Sequence, residues 1–247
     1  LLKALARPYG IILITGPTGS GKSTTLYSML NELDKETKNI VSLEDPVEYN
    51  ISGVSQSQVR PEIGYTFANG LRTTLRQDPD IIMVGEIRDA ETAQLAIQAA
   101  LTGHLVFSTL HTNTAIGAIP RLIDMGIDPY LIAPTLILSL AQRLVKKICP
   151  DAAEKVSNEG AITIMIDKEF EDLPQEFKKK LNLTRSLHEA MATAECSSGT
   201  RGRIPVAEVF SVDKEAEKII LSDPTEVRLW EAARKRGMLS MKEDAIL

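Results

Sequence analysis

The sequence predicts an α/β fold built on a mostly parallel sheet, and three observations carry that expectation. Short apolar runs recur at residues 11–15, 40–43, 81–84 and 105–108, each of the length and composition of a buried strand. Between them lie helical segments at about residues 22–33 and, rich in Ala, Gln and Leu, residues 89–102. Strands that alternate with helices form a sheet covered on both faces. The third observation is a Gly-rich turn that joins the first strand to the first helix, and ligands on such sheets bind at the carboxyl ends of the strands.

The first run, residues 11–15, is bounded by Gly10 and Gly16. Beyond Pro150 the texture changes: residues 151–180 are charged and weakly periodic, with a basic cluster at 178–180. Two short helices are expected at 214–221 and 225–236, the second capped by Gly237. The expected division is therefore a core at residues 1–150 and a smaller, mainly helical C-terminal appendage at 151–247.

Composition narrows the function. The 247 residues are 43% hydrophobic and 25% charged, a globular balance. Twenty-eight basic against 33 acidic residues leave a net charge of −5, which gives no general attraction to nucleic acid or anionic lipid. Two cysteines, Cys149 and Cys196, argue against a disulfide scaffold and for a reducing compartment. No signal peptide is visible at residues 1–10. The longest apolar stretch, residues 130–141, is interrupted by Pro134 and falls short of the roughly 20 residues that span a bilayer. The chain opens with Leu rather than Met, so a preceding segment is expected.

Gly16-Pro17-Thr18-Gly19-Ser20-Gly21-Lys22-Ser23 fits G-x-x-x-x-G-K-[ST] between a strand and a helix. Glycines let backbone N–H groups turn inward around a phosphate, and the helix that follows adds the positive end of its dipole. Lys22 supplies charge to the β- and γ-phosphates, Ser23 can ligate Mg²⁺, and Thr24 continues the phosphate side of the helix. ATP and Mg²⁺ are the expected ligands.

Phosphoryl transfer to water also needs carboxylates. The run 80–86 ends a hydrophobic strand in Glu86, placed to polarise water or to hold Mg²⁺ through water. The acidic cluster Glu44-Asp45-Pro46-Val47-Glu48 follows another strand. Either Glu48 or Glu86 can be the general base, and spacing does not choose between them. His104 and His111 bracket a further strand, and either can report on a γ-phosphate. Neither has a Cys or carboxylate partner at zinc-ligand spacing.

Four ordered blocks, the P-loop, the EDPVE box, residues 75–89 and residues 103–113, closely resemble the type II secretion and type IV pilus-assembly ATPases of bacteria. The likeness is strong over residues 8–150 and continues more weakly through 201–210 and 237–244. It implies a RecA-like ATPase core working as a ring homo-hexamer, peripheral to the cytoplasmic face of the inner membrane. Such motors bind an inner-membrane platform protein and drive pilins out of the membrane. Carried over by motif, Lys22 and Ser23 bind phosphate and metal, Glu48 takes the catalytic place in the acidic box, Glu86 the Walker B role, and His104 and His111 the histidine box. Arg72, Arg76 and Arg88 fall in the same neighbourhood without assigned roles.

Two departures qualify the resemblance. Relatives carry a zinc site built from two C-x-x-C pairs, whereas here Ala152 follows Cys149 and Thr193 precedes Cys196. A degenerate loop without zinc is expected at about residues 149–200. Relatives also have an N-terminal domain whose arginines reach the nucleotide of a neighbour, so this chain alone is expected to hydrolyse ATP slowly. The rival readings are a pilus-retraction ATPase, against which residues 139–150 and the remnant cysteines stand, and a nucleotide-gated scaffold without useful turnover. A nucleic-acid translocase fits poorly with the net charge and the lack of a basic, aromatic track.

Overall fold

The computed structural model describes residues 1–156, 160–181 and 187–247. A short helix α1 (Leu2–Leu5) leads into β1 (Gly10–Thr15), α2 (Lys22–Asn31), β2 (Ile40–Glu44), β3 (Ser55–Gln58) and α3 (Phe67–Thr74). Next come β4 (Ile81–Val84), α4 (Ala90–Leu101), β5 (Leu105–Leu110), α5 (Ala118–Asp124), α6 (Pro129–Thr135) and β6 (Leu136–Ile148). The rest comprises β7 (Ala153–Val156), α7 (Ala161–Glu169), α8 (Gln175–Lys178), β8 (Leu187–Ala190), β9 (Thr200–Ser211), α9 (Lys214–Ser222), α10 (Glu226–Lys235) and α11 (Met241–Ile246).

Among the described residues, seven strands form one sheet in the order β3-β2-β4-β5-β1-β6-β9, parallel throughout except for β9. The pleat explains why the expected strands read as apolar runs. Along β1, Ile11 and Leu13 enter a core shared with α3, α4, α5, α6, α9 and α10, whereas Ile12 and Ile14 enter the opposite core with Leu26, Met29 and Leu30 of α2. Both faces are covered, so every position along β1 is buried.

The change of texture at Pro150 does not mark the end of this sheet. Strand β9 pairs antiparallel with β6, and Phe210, Ile220, Leu229 and Ala233 join the core that contains Ile11 and Val84. The C-terminal residues are structurally continuous with the Gly-rich-loop half because they carry its edge strand. Helix α10 ends as expected at Gly237, which has φ 83° and donates to Arg234 O while Met238 donates to Ala233 O, the double closure that a left-handed residue permits. Arg234 is buried between Glu243 of α11 and Asp172.

The two cysteines also correct an expectation. The β6–β9 pairing brings Cys149, just beyond β6, and Cys196, just before β9, to a Cα separation of 6.7 Å, where they are joined as a disulfide. Ala152 packs against the pair, and Thr193 Oγ1 accepts the Cys196 N–H at 3.0 Å. Parts of the expected loop, residues 157–159 and 182–186, lie outside the described residues.

Candidate active site

Because β1, β2, β4, β5 and β6 run parallel, their carboxyl ends meet on one edge, where a cleft of about 570 Å³ opens. The P-loop closes the end of β1. Gly16 has φ 141°, and a Cβ there would lie 2.6 Å from both Gln142 O and Ser20 Oγ; Gly21 has φ 89°, and its Cβ would meet Gln142 Nε2 at 2.8 Å. Only glycine fits either position. Gly21 caps α2 without a side-chain acceptor, so the first N–H groups of that helix are left for an anion. Gly16 and Ser20 are buried, Gly21 and Lys22 half-buried, and Pro17, Thr18, Gly19, Ser23 and Thr24 exposed. Among the described residues, Ser20 Oγ has no hydrogen-bond partner.

Lys22 Nζ folds back onto the carbonyls of Gly16 and Pro17, at 3.0 Å each. Burial lowers its pKa, Glu86 opposes that shift, and Arg143 adds to it. The lysine is therefore a partly desolvated cation, a state that an anion beside it would relieve. Glycine cradle, helix terminus, Lys22 and the exposed Ser23 hydroxyl form a donor set that fits a Mg-nucleotide.

The end of β4 supplies Glu86, whose side chain is 13% exposed. Its Oε1 is held by Arg88 at 2.5 Å and its Oε2 lies 3.4 Å from His111 Nε2, at the end of β5. Beyond the end of β2, Glu48 lines the same cleft; its side chain is exposed and its backbone N–H donates to Tyr27 Oη at 3.2 Å. The structure thus brings together Lys22, Ser23, Glu48, Glu86 and His111.

His104 is elsewhere, which corrects the expectation of two histidines at one site. It precedes β5, and its Nδ1 bonds to Ala99 O at 2.9 Å, closing the end of α4. The six residues of β5 separate it from His111 by roughly 20 Å at about 3.3 Å per residue. Arg72 pairs with Glu91 of α4, and Arg76 is exposed.

Several residues here escaped sequence reasoning. Gln142 of β6, 3% exposed, donates from Nε2 to Ser20 O at 2.8 Å and accepts from Thr25 Oγ1 at 2.8 Å, so one amide ties the loop to the first turn of α2. Arg143 reaches Asn113 at 3.2 Å, and Arg203 of β9 lines the cleft. Glu208, also on β9, accepts the Ala115 N–H at 2.8 Å and secures the loop after His111. The available signal was a polar pair, Gln142-Arg143, in residues 136–145, which are otherwise apolar apart from Ser139.

A family model described as type II/IV secretion system protein matches residues 1–246. The chain belongs to that family. The type II secretion system ATPase E of Vibrio cholerae serotype O1 is 51% identical over 225 residues, 91% of this chain and 42% of that protein. The type IV pilus assembly ATPase PilB of Thermus thermophilus is 43% identical over 251 residues, 99% of this chain and 26% of that protein. Among solved structures, the pilus retraction motor PilT with bound ADP matches with a TM-score of 0.63 at 29% identity, covering 98% of this chain and 62% of that one. The chain spans less than half the length of these two secretion and pilus relatives. The family resemblance and the parallel α/β fold of the secretion ATPases are both borne out. Among the described residues, no helix of this family member is long and apolar enough to cross a membrane.

Proposed function

We propose that the protein carrying this chain is an ATP-hydrolysing motor of type II secretion or type IV pilus assembly. In this reading it works as a ring hexamer at the cytoplasmic face of the inner membrane, on a membrane platform protein. The observation that carries the hydrolytic part is the grouping of two carboxylates with Lys22 and the P-loop in one cleft. A nucleotide-gated scaffold has no use for acids gathered beside a phosphate-binding loop. Extension or secretion is favoured over retraction by the 51% identity to a secretion ATPase against 29% to PilT.

The two acids divide the work by their surroundings. Both Glu86 oxygens are engaged, by Arg88 and by His111, so this carboxylate is fixed in direction. Glu48 has no side-chain partner among the described residues and is free to accept a proton from water. Glu48 is therefore the general base and Glu86 the oriented acid on the metal side. Lys22, drawn off its loop carbonyls, holds the β- and γ-phosphates, and the α2 N-terminus adds backbone N–H groups. Mg²⁺, held by Ser23 and through water by Glu86, would withdraw charge from the γ-phosphate. His111, bonded to Glu86, carries the state of the site into the loop that Glu208 secures.

The test is Mg-ATP turnover with Glu48→Gln and Glu86→Gln in the full-length protein. Each is expected to lose about 10²–10⁴ in kcat while still binding nucleotide. Wild-type turnover in both variants would remove these two acids from the chemistry, and a full-length wild type that binds nucleotide without turnover would leave the scaffold reading standing.

A further inference from the structure

Two buried polar groups beside the cleft take no part in the chemistry above. Tyr27 is 1% exposed and Glu44 4%. Tyr27 lies on α2, five residues after Lys22, and Glu44 ends β2 at the start of the acidic box. The Tyr27 hydroxyl donates to Glu44 Oε2 and accepts the Glu48 N–H at 3.2 Å. Glu44 Oε1 accepts from Ser42 Oγ at 2.6 Å and from Gln56 Nε2 at 2.9 Å. Gln56 of β3 accepts the Ile51 N–H at 2.7 Å and donates to Tyr49 O at 3.2 Å. The Tyr27 ring also meets the Tyr49 ring edge-on, with centroids 4.6 Å apart.

The outcome is a continuous polar chain from the helix that carries Lys22 to the loop that carries Glu48. Its direction is fixed. Burial first, and then the bond to Glu44, push the Tyr27 phenol up to about 12, so the hydroxyl keeps its proton across the working pH range. With that proton committed to Glu44, an oxygen lone pair faces the Glu48 N–H. The Glu48 carboxylate itself has no partner among the described residues, so the placement of its backbone decides where the carboxylate can reach.

We propose that Tyr27, seated on Glu44, is a positioning residue for Glu48: it fixes the general base relative to the P-loop helix and so sets its reach toward the attacking water. The proposal rests on the reading of Glu48 as general base. It accounts for a carboxylate buried at the cleft edge with no direct role, since a neutral acceptor would hold the phenol less firmly.

The test uses the full-length protein. Tyr27→Phe keeps the ring and its contact with Tyr49 and removes only the hydroxyl. The expected result is a fall of about tenfold in kcat for Mg-ATP hydrolysis, with KM and the affinity for a fluorescent ATP analogue changed less than about twofold. In a Glu48→Gln background, read with radiolabelled ATP over hours, the same substitution should cost nothing further, because the group it positions is already disabled. Glu44→Gln, which keeps the Oε1 acceptor for Ser42 and Gln56 but offers no acceptor to the phenol proton, should give the same kcat-only loss if Tyr27→Phe does not fold. Equal losses in the wild-type and Glu48→Gln backgrounds, or a loss of affinity in step with kcat, would make Tyr27 a structural residue and overturn the proposal. If Glu48→Gln is inactive while Tyr27→Phe and Glu44→Gln retain full kcat, the proposal alone fails. Full turnover in Glu48→Gln overturns the general-base reading and the proposal with it.

Discussion

The two edges of the sheet carry similar residues and put them to different use. Strand β4 has Asp80 before it and Glu86 after it; β5 has His104 before it and His111 after it. At the carboxyl edge, Glu86 and His111 bond to each other in a cleft with Lys22. At the amino edge, Asp80 accepts the Asn39 N–H at 2.8 Å and pairs with Lys38, while His104 closes a helix. The difference teaches that a polar residue flanking a strand takes its role from the strand's direction. In a parallel sheet all carboxyl ends converge, and only that edge faces the P-loop.

The contrast breaks most visibly at the histidines. His111→Ala frees one oxygen of Glu86 and is expected to lower kcat about tenfold. His104→Ala should leave kcat within about twofold and reduce unfolding free energy by about 1 kcal/mol, the worth of one hydrogen bond. Turnover assays and denaturant melts on both variants measure this, and an equal loss of turnover would erase the distinction between the edges.

Glu208 sharpens the picture at the cleft edge through pH. Burial raises its pKa, with the Ala115 N–H pulling the other way. The folded chain therefore holds the Glu208 proton more readily than the unfolded chain, so stability falls as pH rises through that raised pKa. Glu208→Gln keeps an oxygen for Ala115 and is expected to be as stable as wild type at pH 7, or more stable by up to about 1 kcal/mol. The gap should close as the pH drops toward the ordinary value of 4.5, as thermal melts across pH 4–8 would record.

The smallest effect belongs to Asp80. The Asn39 N–H, and then Lys38, hold its carboxyl below the ordinary 3.8. That contribution is present above the ordinary value and is lost as pH falls through the depressed one. Asp80→Asn should lower Tm by no more than about 2–4 °C at pH 7, converge with wild type in acid, and leave turnover unchanged.

How much of this was legible follows from the same geometry. Strands β1, β2, β4 and β5 are buried on both faces and so appear as apolar runs with glycine or polar boundaries. Strand β3, Ser55-Gln-Ser-Gln58, is a polar edge strand with no hydrophobic signal, and β6 follows α6 with no turn residue to mark the join. Strand β9 hides behind Arg201, Arg203 and Pro205, tolerated on an edge strand where an N–H is dispensable. The P-loop, Glu48, Glu86 and His111 were legible because their spacing is local. Tyr27, Gln142 and Glu208 were not, since each acts through partners distant in sequence: Tyr27 reads as one more apolar position on α2, and Gln142 meets Ser20 across 122 residues; Glu44 was visible in the acidic cluster, but its bond to Tyr27 was not.

The returning strand β9 also governs how this protein must be made. Arg203 and Glu208 arrive 50 or more residues after β6, whose 13 residues stand as an unpaired, Leu- and Val-bearing edge until β9 emerges from the ribosome. At roughly 5–20 residues per second, that interval lasts about 3–10 seconds. During it the nascent chain already holds its P-loop and offers an open strand to any neighbour, so this is the window in which a chaperone has the most to protect.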